Sequence, residues 1–297
     1  MANEPNTLSN LKKPNRKYIT RIAIGVGGLG LLYFIFQTLM YVSTDDAQIQ
    51  AHTLMLSPKV NGVVKKVEIS DNEKVKAGQV LVEIDSRDYA NALTSAEAEL
   101  TSLQAREKDA ETSFHRIAEL YRHQAVSKQQ YDTAQATFQE QSRRLSGAQA
   151  QVEEARLNLA YTQIQAPTDG IIAKKSVEPG TLAIAGQPII GFVEAKERWV
   201  VANFKETDLS QIKPGKTVIV KVDAISGKSF EGVVDSISPS TGSIFTLLPP
   251  DNSTGNFTKV VQRVPVKIRL MDLSDSDVEL LRAGLSADVK VRIHSGG

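Results

Sequence analysis

A Pro-free stretch of helical character from Ser86 to Thr162 lies between two short segments that resemble one another, and this arrangement constrains the fold most. Before it comes Ser57-Pro58-Lys59-Val60-Asn61-Gly62-Val63-Val64, leading on to Val75-Lys76-Ala77-Gly78-Gln79. After it comes Ala166-Pro167-Thr168-Asp169-Gly170-Ile171-Ile172, leading on to Ala183-Ile184-Ala185-Gly186-Gln187. Sixteen residues separate Gly62 from Gly78 and Gly170 from Gly186; Asn72 and Gly180 each stand ten after the first glycine. Both Asn and Gly tolerate a left-handed turn. The pattern predicts one small β-unit cut in two, with a helical insertion at the cut. Half of such a unit, about thirty residues, buries too little to fold alone, so the halves must pair in space.

The insertion carries a heptad stripe. Tyr89, Leu93, Ala96, Leu100, Leu103, Glu107, Ala110, Phe114, Ile117 and Tyr121 fall at alternating spacings of four and three. Tyr131, Ala134, Phe138, Gln141, Leu145, Ala148, Val152, Ala155 and Leu159 repeat the pattern. This is a coiled-coil seam, with Glu107 and Gln141 as its weak points. The register runs unbroken through Gln124 and Lys128, so periodicity alone places no turn. Ser127-Lys128-Gln129-Gln130 reads as a capping box, flanked by Val126 and Tyr131 at the positions of a hydrophobic staple. One helix of about 75 residues would also hold the β-halves roughly 110 Å apart. The expected structure is an antiparallel hairpin of about 50 Å with its tip near 122–127.

Composition narrows the function. The 297 residues hold 35 Lys+Arg against 34 Asp+Glu, so no basic field points to nucleic acid. Cysteine is absent, which removes disulfides, thiol catalysis and thiolate metal sites. His52, His115, His123 and His294 show no metal-ligand spacing. No Ser/His/Asp or paired-carboxylate constellation stands out, and the chain reads as non-enzymatic. Ile22–Val42 is an uncharged run long enough to span a bilayer. Lys12, Lys13, Arg16, Lys17 and Arg21 precede it and Asp45-Asp46 follow, which puts 1–21 in the cytoplasm and the bulk outside. The run exceeds a signal-peptide core and lacks a small-residue cleavage site, so it reads as an uncleaved anchor. Within it Gly25-Val26-Gly27-Gly28-Leu29-Gly30 matches G-x-G-x-x-G. The strand–turn–helix context that nucleotide binding needs is missing. Small residues in such a span instead allow close helix packing.

Taken in order, 43–56 is an extended strand entering a barrel, 57–85 the first β-half, 163–195 the second, and 196–297 a β-barrel and membrane-proximal region. The barrel strands are read at Trp199–Phe204, Val218–Val222, Phe230–Ile237, Val260–Leu270 and Leu285–Ile293, punctuated by Gly and Pro. A long apolar loop within it, Ser240–Lys259, carries Ile244, Phe245, Leu247 and Leu248. These four either tuck against the barrel or contact a pump or other partner. The fold class is mixed α and β, elongated and multidomain. It comprises a transmembrane helix, a β domain split by an antiparallel helical hairpin, and a small barrel.

The order of parts resembles the membrane fusion (periplasmic adaptor) proteins of tripartite efflux and secretion systems, whose split β-unit is lipoyl-like. Thr44-Asp45-Asp46-Ala47, Ser57–Gly62 and Gln165–Gly170 match motifs of that family. Ser243–Pro250, Thr254–Phe257 and Val261–Val266 are similar to its multidrug-resistance protein A branch. The resemblance implies a homo-oligomer (trimer or hexamer) in a Gram-negative inner membrane. It would bridge a major-facilitator drug/proton antiporter to an outer-membrane channel. In related adaptors the hairpin tip docks on that channel through an Arg, a Leu four later and a Ser seven after that; Arg116, Leu120 and Ser127 have this spacing. Arg116 also suits a solvated position, Leu120 a place beside the seam, and Ser127 the helix cap. True lipoyl or biotinyl carriers bear a modified Lys at the turn the hairpin has replaced, so the resemblance implies no cofactor. An adaptor of an ABC-type secretion system and a membrane-tethered carrier domain are the alternatives.

Overall fold

The computed structural model describes residues 40–242, 244 and 260–293. They form two compact units: one holds the described residues up to Ala51 together with those from Arg198 onward, the other His52–Glu197.

The second unit carries the split β-unit. Its strands are β2 (Thr53–Leu56), β3 (Gly62–Val67), β4 (Lys74–Val75), β5 (Val80–Ile84), β6 (Gln163–Gln165), β7 (Gly170–Lys175), β8 (Leu182–Ala183) and β9 (Ile190–Glu194). They make two four-stranded sheets, ordered β2-β9-β7-β4 and β6-β5-β3-β8. Strands β3 and β7 lie 108 residues apart, as do β4 and β8. Their pairing repeats with the same offset, but crosswise. Gly62 faces Ala183 and Val63 faces Leu182, while Gly170 faces Val75 and Ile171 faces Lys74. Side chains obey the same symmetry: Asn61 Oδ1 accepts from the Ala185 amide at 2.7 Å and Asp169 Oδ1 from the Ala77 amide at 2.9 Å. Asn72 (φ 66°) and Gly180 (φ 90°) occupy equivalent left-handed turns. Each half therefore completes the other, and the core mixes both, with Val64, Leu81 and Ile84 against Ile172, Ile190 and Phe192.

The two halves are joined by α1 (Arg87–Arg122) and α2 (Lys128–Ala160), which pack antiparallel as the seam requires. At 36 and 33 residues they reach about 50 Å. Asp85 starts α1: its carboxylate accepts the Arg87 amide and guanidinium, and that side-chain bond holds its pKa down to about 2. Leu103, Ala148 and Val152 are the buried residues of the two helices, and the rest of the seam is half-buried or exposed. Gln141 is a weak point, as its seam position implies: its Oε1 is buried with no hydrogen-bond partner among the described residues. Gly147 lies inside α2, at a cost of about 1 kcal/mol relative to Ala.

The first unit is a closed barrel. Its strands are β1 (Tyr41–Gln50), β10 (Trp199–Lys205), β11 (Thr217–Val222), β12 (Ser229–Ile237), β13 (Arg263–Leu270) and β14 (Ser286–Arg292), in the order β1-β10-β13-β12-β11-β14. Alternation sets the inward face: Val264, Val266, Ile268 and Leu270 are buried while Arg263, Lys267 and Arg269 point out. Two boundaries differ from the sequence reading. The extended lead-in 43–56 divides at Ala51, β1 closing the barrel and β2 joining the other unit. Tyr41 and Val42, assigned to the end of the apolar run, instead open β1, opposite Arg292 and Val291. Val42 is apolar because it packs against the barrel core. The rest of the anchor reading, 22–39, lies outside the described residues. Among the described residues no helix is long and apolar enough to cross a membrane. A short helix α3 (Asp275–Leu280) precedes β14, fixed by a capping box of Ser274 and Asp277; the fully buried Leu281 after it joins the barrel core.

Candidate functional site

The hairpin tip is built by one helix ending and another starting without any glycine or proline. Helix α1 stops in a Schellman motif: the Gln124 amide donates to Tyr121 O at 2.9 Å and the Ala125 amide to Leu120 O at 2.9 Å. The motif puts Gln124 in the left-handed region, at φ 58°. Helix α2 then begins at the capping box read from the sequence. The Gln130 amide donates to Ser127 Oγ at 3.3 Å and the Ser127 amide to Gln130 Oε1 at 3.1 Å. Beneath the turn the seam becomes aromatic. Phe114 stacks on Phe138 at 5.7 Å between centroids and meets Tyr131 at 5.7 Å, and Tyr121 stacks on Tyr131 at 5.0 Å. Offset aromatic pairs contribute about 0.5–1.5 kcal/mol each beyond area burial, so the tip is braced where a two-helix seam would otherwise fray.

Glutamine at a left-handed position is strained, which gives a test of the turn. Gln124→Gly is expected to stabilise the tip by about 1 kcal/mol. Amide exchange across 120–128 should slow severalfold; unchanged or faster exchange would contradict the turn geometry.

The three residues singled out from the sequence are all solvent-exposed around this tip. Arg116 and Leu120 are one turn apart on a single face of α1, and Ser127 caps α2. Arg116 makes no ion pair among the described residues, whereas the nearby acids are engaged. Glu111 pairs with Lys108 at 2.8 Å, which holds its carboxyl below the usual range, and Glu119 lies 3.1 Å from Arg122 and 3.2 Å from His123. Leu120 stands outside the heptad positions and keeps 39% of its surface exposed. The tip thus offers an unpaired guanidinium beside an apolar side chain on a rigid support. Of the loop residues, Ile244 is 62% exposed, and Phe245, Leu247 and Leu248 lie outside the described residues.

A polar cluster in the barrel was legible only as a motif. Thr44 Oγ1 donates to Asn203 O at 2.8 Å and accepts the Asp46 amide at 3.2 Å. The Asp46 carboxylate accepts from Asn203 Nδ2 at 3.1 Å and from Arg263 at 2.8 Å. Thr44-Asp45-Asp46-Ala47 therefore forms a bulged clasp joining β1 to β10 and β13. Among the described residues no group of three or more His, Cys, Asp and Glu could hold a metal.

Comparison with known proteins aligns most of this chain. The RND membrane-fusion-protein barrel-sandwich hybrid domain matches 52–193, and the CusB-like β-barrel domain matches 198–243. The chain is similar to the colistin resistance protein EmrA of Acinetobacter baumannii, 30% identical with 90% of this chain and 91% of that protein covered. It is 30% identical to the multidrug export protein EmrA of Haemophilus influenzae, over 97% of this chain and 87% of the relative. The fatty acid resistance protein FarA of Neisseria gonorrhoeae is 35% identical over 86% and 76%. Among solved structures, a MacA–MexA chimera carrying the Pseudomonas aeruginosa MexA α-hairpin superposes with TM-score 0.61 at 26% identity, covering 86% of this chain and 81% of that one. The membrane fusion protein Spr0693 of Streptococcus pneumoniae shares the fold, with TM-score 0.62 at 18% identity over 86% and 99%.

Proposed function

From the premise that this chain belongs to the membrane fusion protein family, a non-enzymatic family, we propose that it is the periplasmic adaptor of a tripartite multidrug efflux system. Residues 22–40 anchor it in the inner membrane of a Gram-negative cell, with the N-terminus in the cytoplasm. Protomers assemble around a major-facilitator antiporter, and their hairpin tips meet an outer-membrane channel through Arg116, Leu120 and Ser127. The exposed part of the apolar loop, Ile244, is offered to the pump together with Phe245, Leu247 and Leu248. The observation that carries this reading is the tip: a rigid, aromatic-braced turn presenting an unpaired Arg116 and an exposed Leu120. The resistance and export names of relatives aligned over most of the chain support the drug-pump branch.

Purification from native membranes after gentle crosslinking tests it. Recovery of a many-span antiporter together with an outer-membrane channel is the expected result. An ATPase in place of the antiporter would assign the chain to a secretion system, and recovery of neither would overturn the adaptor reading.

A further inference from the structure

We propose that the barrel holds a specific site for a zwitterionic phospholipid headgroup, a phosphoester joined to a primary ammonium, in the cleft where β1 parts from β10. The proposal rests on reading residues 22–40 as a membrane anchor. Strand β1 pairs with β10 only over Ala47–Gln50, whereas β10 continues along β13 to Lys205 opposite Arg263. Beyond the bulge at Asp45 and Asp46, β1 stays with β14 alone. Bulges of this kind often re-aim side chains at binding sites. Here the result is a cleft of about 470 Å³, bordered by Ser43, Asp45, Lys205, Arg263, Asp288 and Lys290 among others.

The chemistry of the lining selects the ligand. Cations and carboxylates surround one space, yet Asp45, Asp288, Lys205 and Lys290 make no ion pair within 4 Å among the described residues. Arg263 spends one nitrogen on Asp46 and keeps the others free. Opposite charges that share a cleft without closing on one another suit an occupant carrying both signs. Lys205, Lys290 and Arg263 match a phosphoester, and Asp45, Asp208 and Asp288, three carboxylates against those three cations, match an ammonium that can donate hydrogen bonds. Among the described residues no aromatic ring lines the cleft to cage a quaternary ammonium, so ethanolamine fits better than choline.

Position selects the source. The barrel starts at Tyr41 with no linker after the apolar run, so Ser43 lies at most about 10 Å of strand beyond Met40. A headgroup layer is roughly 5–8 Å deep, and long lysine side chains reach toward it. Tyr41 beside Arg292, whose guanidinium lies 5.9 Å from the ring centroid, is a pairing typical of that interface.

Native mass spectrometry of the full-length protein in detergent, supplied with phosphatidylethanolamine or phosphatidylglycerol, tests this. The wild type should retain the ethanolamine lipid roughly tenfold better, the worth of one charge-assisted hydrogen bond. Asp288→Asn should erase that preference, and Lys290→Gln should weaken retention of both lipids. Equal retention by the wild type, or a preference that survives Asp288→Asn, would overturn the proposal. Calorimetric titration with glycerophosphoethanolamine, which has no acyl chains, reads the site independently of anchoring. Binding there is expected, and inorganic phosphate binding as well as the headgroup would refute the assignment. Extraction of the protein from membranes by high salt alone would instead refute the anchor, leaving the titration to judge the site.

Discussion

Arg116→Asp is expected to abolish capture of the outer-membrane channel, and drug resistance with it, while the hairpin stays folded. The guanidinium is exposed and makes no ion pair among the described residues, so its removal frees no buried partner. Asp inside a helix costs about 0.7 kcal/mol relative to the best formers, and a like-charge pair with Glu119 adds a few tenths. The fold therefore loses about 1 kcal/mol. An interfacial charge turned against its partner costs about 2–5 kcal/mol, which is roughly 30-fold to several-thousandfold in affinity. Photo-crosslinkers beside the tip, read together with resistance of the cells, measure the loss. Amide exchange along α1 checks that the helix persists. Ser127 needs a different substitution, because Ser127→Ala removes the cap as well as any contact. Ser127→Asp keeps a good cap, so failure of capture there reports the contact itself. Full capture by Arg116→Asp would remove the tip from the docking surface.

How legible these features were in the sequence depends on how local their cause is. The split β-unit could be read because its turns need left-handed residues: Asn72, Gly78, Gly180 and Gly186 all have positive φ, at the spacings the sequence shows. The start of α2 could be read because Ser127 and Gln130 satisfy one another across three residues. The end of α1 carried no such signal. Gln124 takes the position that Gly or Asn usually fills, held there by the pull of two packed helices rather than by its own preference. Tyr41 and Val42 were misassigned because hydropathy does not distinguish the last turn of a span from the first residues of a strand. Helix α3, at six residues, is too short for helical periodicity to show, although Ser274 and Asp277 carry a capping signal. The isolation of Arg116 depends on which cations Glu111 and Glu119 choose, and the cleft beside β1 depends on strand register. Neither is a local property.

The symmetry of the split unit makes a sharper demand than its spacing alone. Gly62 and Gly170 are equivalent by position, so Ala at the two sites would be expected to cost the same. The structure says otherwise. A Cβ on Gly62 would meet Ile84 Cγ2 at 2.5 Å, a branch methyl of a buried side chain that can yield only by a χ1 change, but no backbone atom nearer than 3.9 Å. A Cβ on Gly170 would meet Phe192 Cζ at 2.2 Å and the Val193 carbonyl oxygen at 2.6 Å. Phe192 is 1% exposed and has no free volume to enter, and the carbonyl belongs to β9, which pairs with β7 beside it. Gly170→Ala must therefore push two strands apart, and about 3 kcal/mol, the upper part of the overpacking range, is expected. That corresponds to a fall of roughly 6–12 °C in the melting of this unit. Gly62→Ala should cost less, about 1–2 kcal/mol, because one buried side chain must shift and no neighbouring strand is pushed away. Pairing Gly170→Ala with Phe192→Leu separates the two clashes: it relieves the ring contact and leaves the carbonyl contact, so only part of the loss should return. Equal melting of the two glycine variants would show that the halves are interchangeable in packing as well as in topology. Full recovery in the double variant would place the whole cost on the ring.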